Sequence, residues 1–356
     1  MRFLLFFLFL DLFSIGSYAQ GNFEISGTVK NMKGEVVEAA TVFINGSKKI
    51  TKTDEKGLFI FKTVSPGTYQ IVINMIGYAS IKENVVLQDK AISLELALVE
   101  KGIVLNEVTI GNNSQRASQI KTFLKKFLGE SDNAKSCSLL NPELLDFSTR
   151  QTLLDATTSD FLIIENKNLG YRIKYLLRNF RFNSGTGVTS YDGESLFENL
   201  DGTEDQQAVW KKNRLFAYQG SFMHYLRSLY LNTTRNEGFQ THNITTRMEP
   251  LVLDPVPLDM EQFLFTIDSN FVELKFSQRL YVYYDVKKTA LKDLEDSQEN
   301  IKKIMDATGS VMQLYLENAV LDKKGSYVDY RSFLLKGYWS SKRLGDQLPF
   351  EYQPGD

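Results

Sequence analysis

The sequence predicts two folded parts: an all-β sandwich over residues 20–110 and an α+β domain over residues 119–356, joined by a linker at 111–118. Three observations predict this. Between Phe23 and Leu98, short apolar runs are separated by Gly, Pro, Asn or Asp, the punctuation of a sandwich. After Gln119, helical spacing and strand-like runs fall in separate blocks, which points to α+β rather than to a doubly wound sheet. With 43% apolar and 24% charged residues in 356, the chain can bury a sizeable core, and whole-chain disorder is excluded.

The sandwich is justified strand by strand. Phe23, Ile25, Gly27 and Val29 alternate with polar residues, and Asn31-Met32-Lys33-Gly34 turns the chain. Thr41-Val42-Phe43-Ile44 is a short buried run closed by Asn45-Gly46. Thr53 to Gly57 forms a second turn into Leu58-Phe59-Ile60-Phe61. Ser65-Pro66-Gly67 turns into Tyr69 to Ile73, and Ile81–Leu87 and Ile92–Leu98 follow with period two. Gly34, Gly57 and Gly67 sit where positive φ costs least.

These pieces carry a resemblance. Ile25-Ser26-Gly27-Thr28-Val29, Ala39-Ala40-Thr41-Val42, Thr53 to Phe59, Pro66-Gly67-Thr68-Tyr69 and Ile76-Gly77-Tyr78 match in order and spacing, over about a quarter of the chain, the carboxypeptidase-D regulatory-like domain. The resemblance implies an immunoglobulin/transthyretin-like sandwich without catalytic residues of its own. It also implies a setting, since such domains often precede other modules on exported proteins of Gram-negative bacteria, TonB-dependent receptors among them.

Export is expected from the first residues as well. Arg2 precedes an apolar run to Ile15, interrupted by Asp11, and Ser17-Tyr18-Ala19 presents small residues to a signal peptidase. Residues 1–19 are the expected signal peptide, with cleavage before Gln20. The run is shorter than the ~20 residues a spanning helix needs, and no cysteine at the cleavage point marks a lipid anchor. No transmembrane helix is expected in the mature chain, and the expected location is periplasmic or outer-membrane-associated.

Val104, Leu105, Asn106, Glu107, Val108, Thr109 and Ile110 resemble the short acidic–apolar strand that follows this domain in TonB-dependent receptors, where it pairs with a partner. The plainer reading is the last strand of the sandwich. Gly111 to Gln115 is polar and reads as linker. The residues that remain are too few, and alternate too little, for a receptor barrel.

In the C-terminal part, Ile120, Phe123, Leu124, Phe127 and Leu128 predict an amphipathic helix stopped by Gly129, its lysines opposite the aromatics. A membrane-surface helix is the sharper alternative to a core helix. Phe161–Ile164 and Gly170–Leu177 predict a hairpin whose second arm carries Arg172, Lys174, Arg178 and Arg181. That stripe suits either an anionic ligand or a solvated strand face. Glu204–Leu231 reads as helical, Met248–Pro257 as extended and proline-broken. Strands are expected at Phe263–Ile267, Phe271–Phe276 and Leu280–Val286, and a helix at Thr289–Met305. Val311–Leu316 and Ser326–Lys336 are expected as hairpin arms about Asp322–Gly325. Asn141–Phe147, Asn168–Tyr171, Tyr218–Ser221, His224–Leu229 and Gly337–Trp339 resemble segments of exported proteins that join this sandwich to a C-terminal domain with no attached activity.

The chemistry available is limited. With 41 basic and 43 acidic residues, nucleic acid is not an expected partner. His224 is followed at the third position by Arg227 and His242 by Thr245, so the His-x-x-Glu pair of a zinc carboxypeptidase is missing. No nucleophile elbow, phosphate loop, dinucleotide fingerprint or calcium loop occurs, and no metal or cofactor is expected. Cys137, the single cysteine, is expected as a buried, inert thiol. His224 with Arg227, one helical turn apart, is the candidate acid–base pair, against the plainer reading of a structural histidine. Trp210, Trp339 and the tyrosines of Tyr281–Tyr284 can stack on sugar rings or fill a core. The expected function is an exported, non-catalytic interaction protein of the cell envelope, its sandwich a docking module and its partner an envelope protein or a glycan. The alternative is an envelope hydrolase acting on glycan or peptide through carboxylates that spacing does not reveal.

Overall fold

The computed structural model describes residues 22–101, 113–246, 250–285 and 306–356. The expected signal peptide, the strand from Val104 to Ile110 and the helix expected at Thr289–Met305 lie outside the described residues.

Seven strands build the sandwich: β1 (Phe23–Asn31), β2 (Thr41–Ile44), β3 (Ile50–Lys52), β4 (Leu58–Val64), β5 (Gly67–Asn74), β6 (Ile81–Leu87) and β7 (Ile92–Leu98). One sheet runs β4-β1-β7, with β1 and β7 parallel. The other runs β3-β2-β5-β6 and is antiparallel throughout. Only the three-residue β3 falls outside the expected strands. Period-two alternation sends Ile25, Val29, Phe59 and Phe61 inward from the first sheet, against Val42, Ile44, Ile71 and Ile73 of the second. At the Asp54–Gly57 turn the Asp54 carboxylate accepts the N–H groups of Lys56 and Leu58 at 2.9 and 2.8 Å. Gly57 has φ 71°, and a Cβ there would stand 2.6 Å from the Val29 carbonyl oxygen, so the position needs glycine.

The expected linker at 111–118 is helical from Asn113, because α1 spans Asn113–Leu128. Its polar first turns are held by tertiary contacts: the Arg116 guanidinium donates to the carbonyls of Pro142, Glu143 and Leu145 at 3.1, 3.3 and 3.1 Å. The apolar face packs into the core as expected, with Phe123 and Phe127 fully buried and their rings stacked at 4.8 Å. Gly129, at φ 103°, follows the last turn.

Next come α2 (Asp132–Lys135), β8 (Cys137–Leu139), β9 (Asp146–Arg150), β10 (Leu153–Thr157), β11 (Leu162–Asn166), β12 (Tyr171–Asn183) and β13 (Thr189–Asn199). The long β12 organises a six-stranded sheet. Its first half pairs β11 as the expected hairpin, its second half pairs β10, and β13 pairs along its length.

The helical region expected at Glu204–Leu231 is two helices, α3 (Glu204–Tyr218) and α4 (Phe222–Tyr230). Gly220, at φ 72°, breaks the run, and the Ser221 hydroxyl caps α4 by accepting the His224 N–H at 3.1 Å. The chain then forms β14 (Phe239–Asn243), β15 (Leu264–Thr266), β16 (Phe271–Leu274), β17 (Leu280–Tyr284), β18 (Ser310–Leu314), β19 (Ala319–Asp322), β20 (Phe333–Gly337) and the short α5 (Tyr338–Ser341). These strands make two sheets, ordered β14-β17-β18-β20 and β15-β16-β19. The expected hairpin arms do pair, as β18 with β20, but β19 intervenes. The Asp322–Gly325 turn follows β19, whose partner is β16, so the turn does not join the two arms. Strands segregated from helices confirm an α+β C-terminal domain beside the all-β sandwich.

The sandwich is joined to the rest through the outer face of β2 and β5. Phe43 and Val72 point away from the sandwich core and bury against Leu176 and Leu196 of the six-stranded sheet, with Phe161 beside them. Burying each such side chain is worth about 1.5–3 kcal/mol. The loop after β2 caps the free edge of β13. Gly46 N–H donates to Ser195 O at 2.7 Å, Phe197 N–H to Ser47 O at 2.8 Å, and Ser195 N–H to Asn45 Oδ1 at 2.8 Å. Phe350 N–H donates to Gly46 O at 2.9 Å, tying in the C-terminal segment.

Candidate functional site

A cleft of about 620 Å³ opens where the sandwich meets the C-terminal domain. Its floor is the polar continuation of the outer face of β5 and β6. Antiparallel register places Gln70 directly opposite Asn84, and Asn45 follows β2 beside Gln70. The three amides form a row: Asn45 Nδ2 donates to Gln70 Oε1 at 2.9 Å, and Gln70 Nε2 to Asn84 Oδ1 at 3.0 Å.

Two walls flank this floor. One is the β12–β13 pair, which contributes Tyr175, Tyr191 and Asp192. The other is the segment after β19, with Lys324, Ser326 and Tyr327. Each wall is fixed by a buried carboxylate. Behind the first, Glu194 is fully buried and accepts from Arg178 Nε at 2.7 Å, with Lys82 Nζ of β6 at 3.3 Å. Behind the second, Asp322 is fully buried. Its Oδ2 accepts from Thr68 N–H at 2.8 Å and from Lys324 Nζ at 2.8 Å. Its Oδ1 accepts the N–H groups of Lys324 and Ser326 at 2.8 and 3.1 Å. The Lys324 ammonium also lies 4.0 Å from the Tyr69 ring centroid. Two of the lysines that line the cleft, Lys82 and Lys324, are thus matched by carboxylates of this same chain, while Lys49 Nζ donates to the Thr63 carbonyl at 3.5 Å.

The candidate pair does not converge on this cleft. His224 is buried, with its ring against Tyr218, Phe239 and Tyr284. Gly220 N–H donates to His224 Nδ1 at 3.1 Å, which leaves Nε2–H to donate to the Glu237 carboxylate at 2.6 Å. Burial holds the imidazole pKa below its ordinary 6.5, against the opposing pull of Glu237. Arg227 turns elsewhere: its guanidinium donates to the carbonyls of Lys324, Tyr352 and Phe350 at 2.9, 2.8 and 3.1 Å. Both side chains are thus engaged by hydrogen bonds to groups outside the cleft or to main-chain carbonyls. Glu237 is thirteen positions from His224, outside the reach of local helical spacing.

Cys137, expected to be buried, is half-buried; burial, then the nearby Asp346 charge, pushes its thiol up to about 12. The basic arm of the hairpin is neutralised strand by strand. Arg172 pairs with Glu165 at 2.7 Å, Lys174 with Glu198 at 2.5 Å, Arg178 with Glu194, and Arg181 with Asp155 at 2.6 Å. It is a cross-strand charge ladder rather than an anion-binding stripe. Trp210 and Trp339 are core residues: their indole N–H groups donate to Lys167 O and Gly220 O at 2.8 and 2.9 Å. Among the described residues no cluster of metal-ligating side chains forms and no helix is long and apolar enough to cross a membrane.

The cleft residues Asn45, Gln70, Asn84, Tyr191 and Tyr327 escape sequence reasoning because five separate segments contribute them. One signal was present. Val42-Phe43-Ile44 and Ile71-Val72-Ile73 are unbroken apolar runs, which mark strands buried on both faces.

Residues 25–110 match the family model of the CarboxypepD_reg-like domain. No curated protein matches the chain. Among solved structures the chain is similar to catechol 1,2-dioxygenase of Acinetobacter radioresistens at 10% identity and TM-score 0.20, covering 26% of this chain and 56% of that one. It is similar to the shaft pilin SpaA of Lactobacillus rhamnosus GG at 14% and 0.20, covering 24% and 48%. A type II cohesin–X-dockerin complex of Acetivibrio cellulolyticus gives 20% and 0.21, covering 30% and 75%. The chain thus spans little more than half the length of the dioxygenase.

Proposed function

With its N-terminal sandwich a CarboxypepD_reg-like domain, we propose that the chain is an exported, non-catalytic binding protein of the cell envelope, periplasmic or outer-membrane-associated, that holds its ligand in the cleft between the two domains. The observation that carries this reading is that Lys82 and Lys324, on the two sides of the cleft, are each held by a carboxylate of the chain. Lys82 lies 3.6 Å from Asp192 and Lys324 is held by Asp322, while the Glu351 carboxylate accepts the backbone N–H of Lys48 at 3.3 Å. Such an arrangement commits these lysines to holding the cleft open rather than to acid–base work. The sandwich contributes to binding as the floor of the cleft, since the outer face of its β3-β2-β5-β6 sheet already rests on the C-terminal domain.

Capture from periplasmic and outer-membrane fractions tests the reading, with the mature chain from Gln20 as bait and an Asn84→Trp variant that fills the exposed rim of the floor. The expected result is a defined envelope component held by the parent chain, lost from the variant and recovered unmodified. Recovery of a cleaved component would replace the binding reading with an envelope hydrolase acting through Asp192 or Glu351. Equal capture by both baits would move the site away from the cleft.

A further inference from the structure

Resting on the cleft as the binding site, we infer that its ligand is a neutral glycan. The first ground is the floor. Asn45, Gln70 and Asn84 project from three adjacent chain segments, about 4.8 Å apart as neighbouring strands are. Each amide carries both a donor group and an acceptor. A row of alternating donors and acceptors on a flat sheet complements a ligand that bears hydroxyls along its length. The bonds along the row use at most one N–H and one lone pair of each amide, and an apolar ligand would leave the remaining capacity desolvated and unmet.

The second ground is the walls. Tyr191 and Tyr327 line the two walls, with their rings packed edge-on against Phe127 and Phe333 of the neighbouring cores, so each meets the cleft only with the part of the ring that this packing leaves. Such partly apolar, partly polar walls suit a ligand whose rings carry both C–H and O–H groups. The third ground is charge. Lys82 is offset by Asp192 and Glu194 and Lys324 by Asp322, while Lys49 and Glu351, which also line the cleft, carry one charge of each sign. An anionic ligand would have to compete with carboxylates of the protein itself, and a cationic one with its lysines. The volume, about 620 Å³, lies inside the range of ~300–1,000 Å³ typical of ligand pockets.

Isothermal titration calorimetry on the mature chain tests this, with cellotetraose, maltotetraose and chitotetraose as neutral probes and tetragalacturonate and tetra-alanine as the anionic and peptide probes. The expected result is saturable binding of at least one neutral tetrasaccharide and none of the other two. Asn84→Ala, at an exposed position, should weaken that binding about tenfold or more with the melting temperature unchanged. Gln70→Ala should do the same. No binding of any neutral probe up to millimolar concentration overturns the inference, as does binding that both variants leave intact. Asn84-dependent binding of tetragalacturonate overturns the neutrality of the glycan, Asn84-dependent binding of tetra-alanine overturns the glycan class, and either leaves the cleft as a binding site. Cleavage of a bound neutral probe keeps the glycan class and removes the non-catalytic reading.

Discussion

The two sheets of the sandwich share one core and part company on their outer faces. In β4 the alternation is clean: Phe59 and Phe61 are buried, while Leu58 and Ile60 are 46% and 40% exposed. In β2 and β5 it is absent, and Val42, Phe43, Ile44, Ile71, Val72 and Ile73 are all at most 1% exposed. Among the described residues the first sheet has one neighbour and the second has two. A strand that reads apolar without interruption in an otherwise alternating domain therefore marks where a second body packs. The same sheet, two residues further along, exchanges apolar side chains for amides and becomes the floor of a cleft.

The comparison breaks most severely at the buried carboxylate that anchors the far wall. Asp322→Ala should leave the Lys324 ammonium without its ion-pair partner and the Thr68, Lys324 and Ser326 N–H groups without their acceptor. A loss of about 3–5 kcal/mol is expected in urea denaturation. The seam itself comes next. Phe43→Ala should cost about 3–4 kcal/mol, since the ring is fully buried and packs edge-on to Phe161 at 5.5 Å. Ile60→Ala, on the outer face of the other sheet, should cost under ~1 kcal/mol. Equal costs for the two would erase the distinction between the sheets.

A smaller effect concerns His224. Its pKa is depressed on folding, so the unfolded chain binds the proton more readily in the window below 6.5. Stability linked to this group is thus fully present above pH 6.5 and declines as pH falls toward the depressed value. Glu237→Gln removes the carboxylate that pulls the pKa up, so the decline should deepen in urea midpoints compared between about pH 8 and pH 5. An unchanged decline would remove Glu237 from the account of this histidine. The smallest effect belongs to the charge ladder: Arg181→Ala, at an exposed site paired with Asp155, should leave both the unfolding midpoint and ligand capture where they were.

Much of the sandwich was legible in the sequence, because turn residues and alternation are local signals. Asn31–Gly34, Asp54–Gly57 and Ser65–Gly67 each sit at an observed turn or strand boundary. Less of the C-terminal domain was legible. The start of α1 is set by Arg116 reaching carbonyls about thirty residues ahead, and the break between α3 and α4 by the single positive-φ residue Gly220. β19 was hidden because a four-residue strand held by β16 has no periodicity of its own. The candidate site was the least legible part. His224 and Arg227 were visible as neighbours on one helix, but their partners Glu237, Phe350 and Tyr352 are distant in sequence. The amide row depends on register between β2, β5 and β6, which no residue announces alone.

The central claim is that the sandwich and the C-terminal domain form one cooperative body with the cleft held open between them. Native-state hydrogen exchange on the parent chain and on Phe43→Ala tests it most directly. The account predicts that the amides of β2 and β5 and those of β12 and β13 exchange through a common opening, and that Phe43→Ala lowers the protection of both sets by the same amount. Loss of protection confined to β2 and β5, with β12 and β13 unchanged, would contradict it.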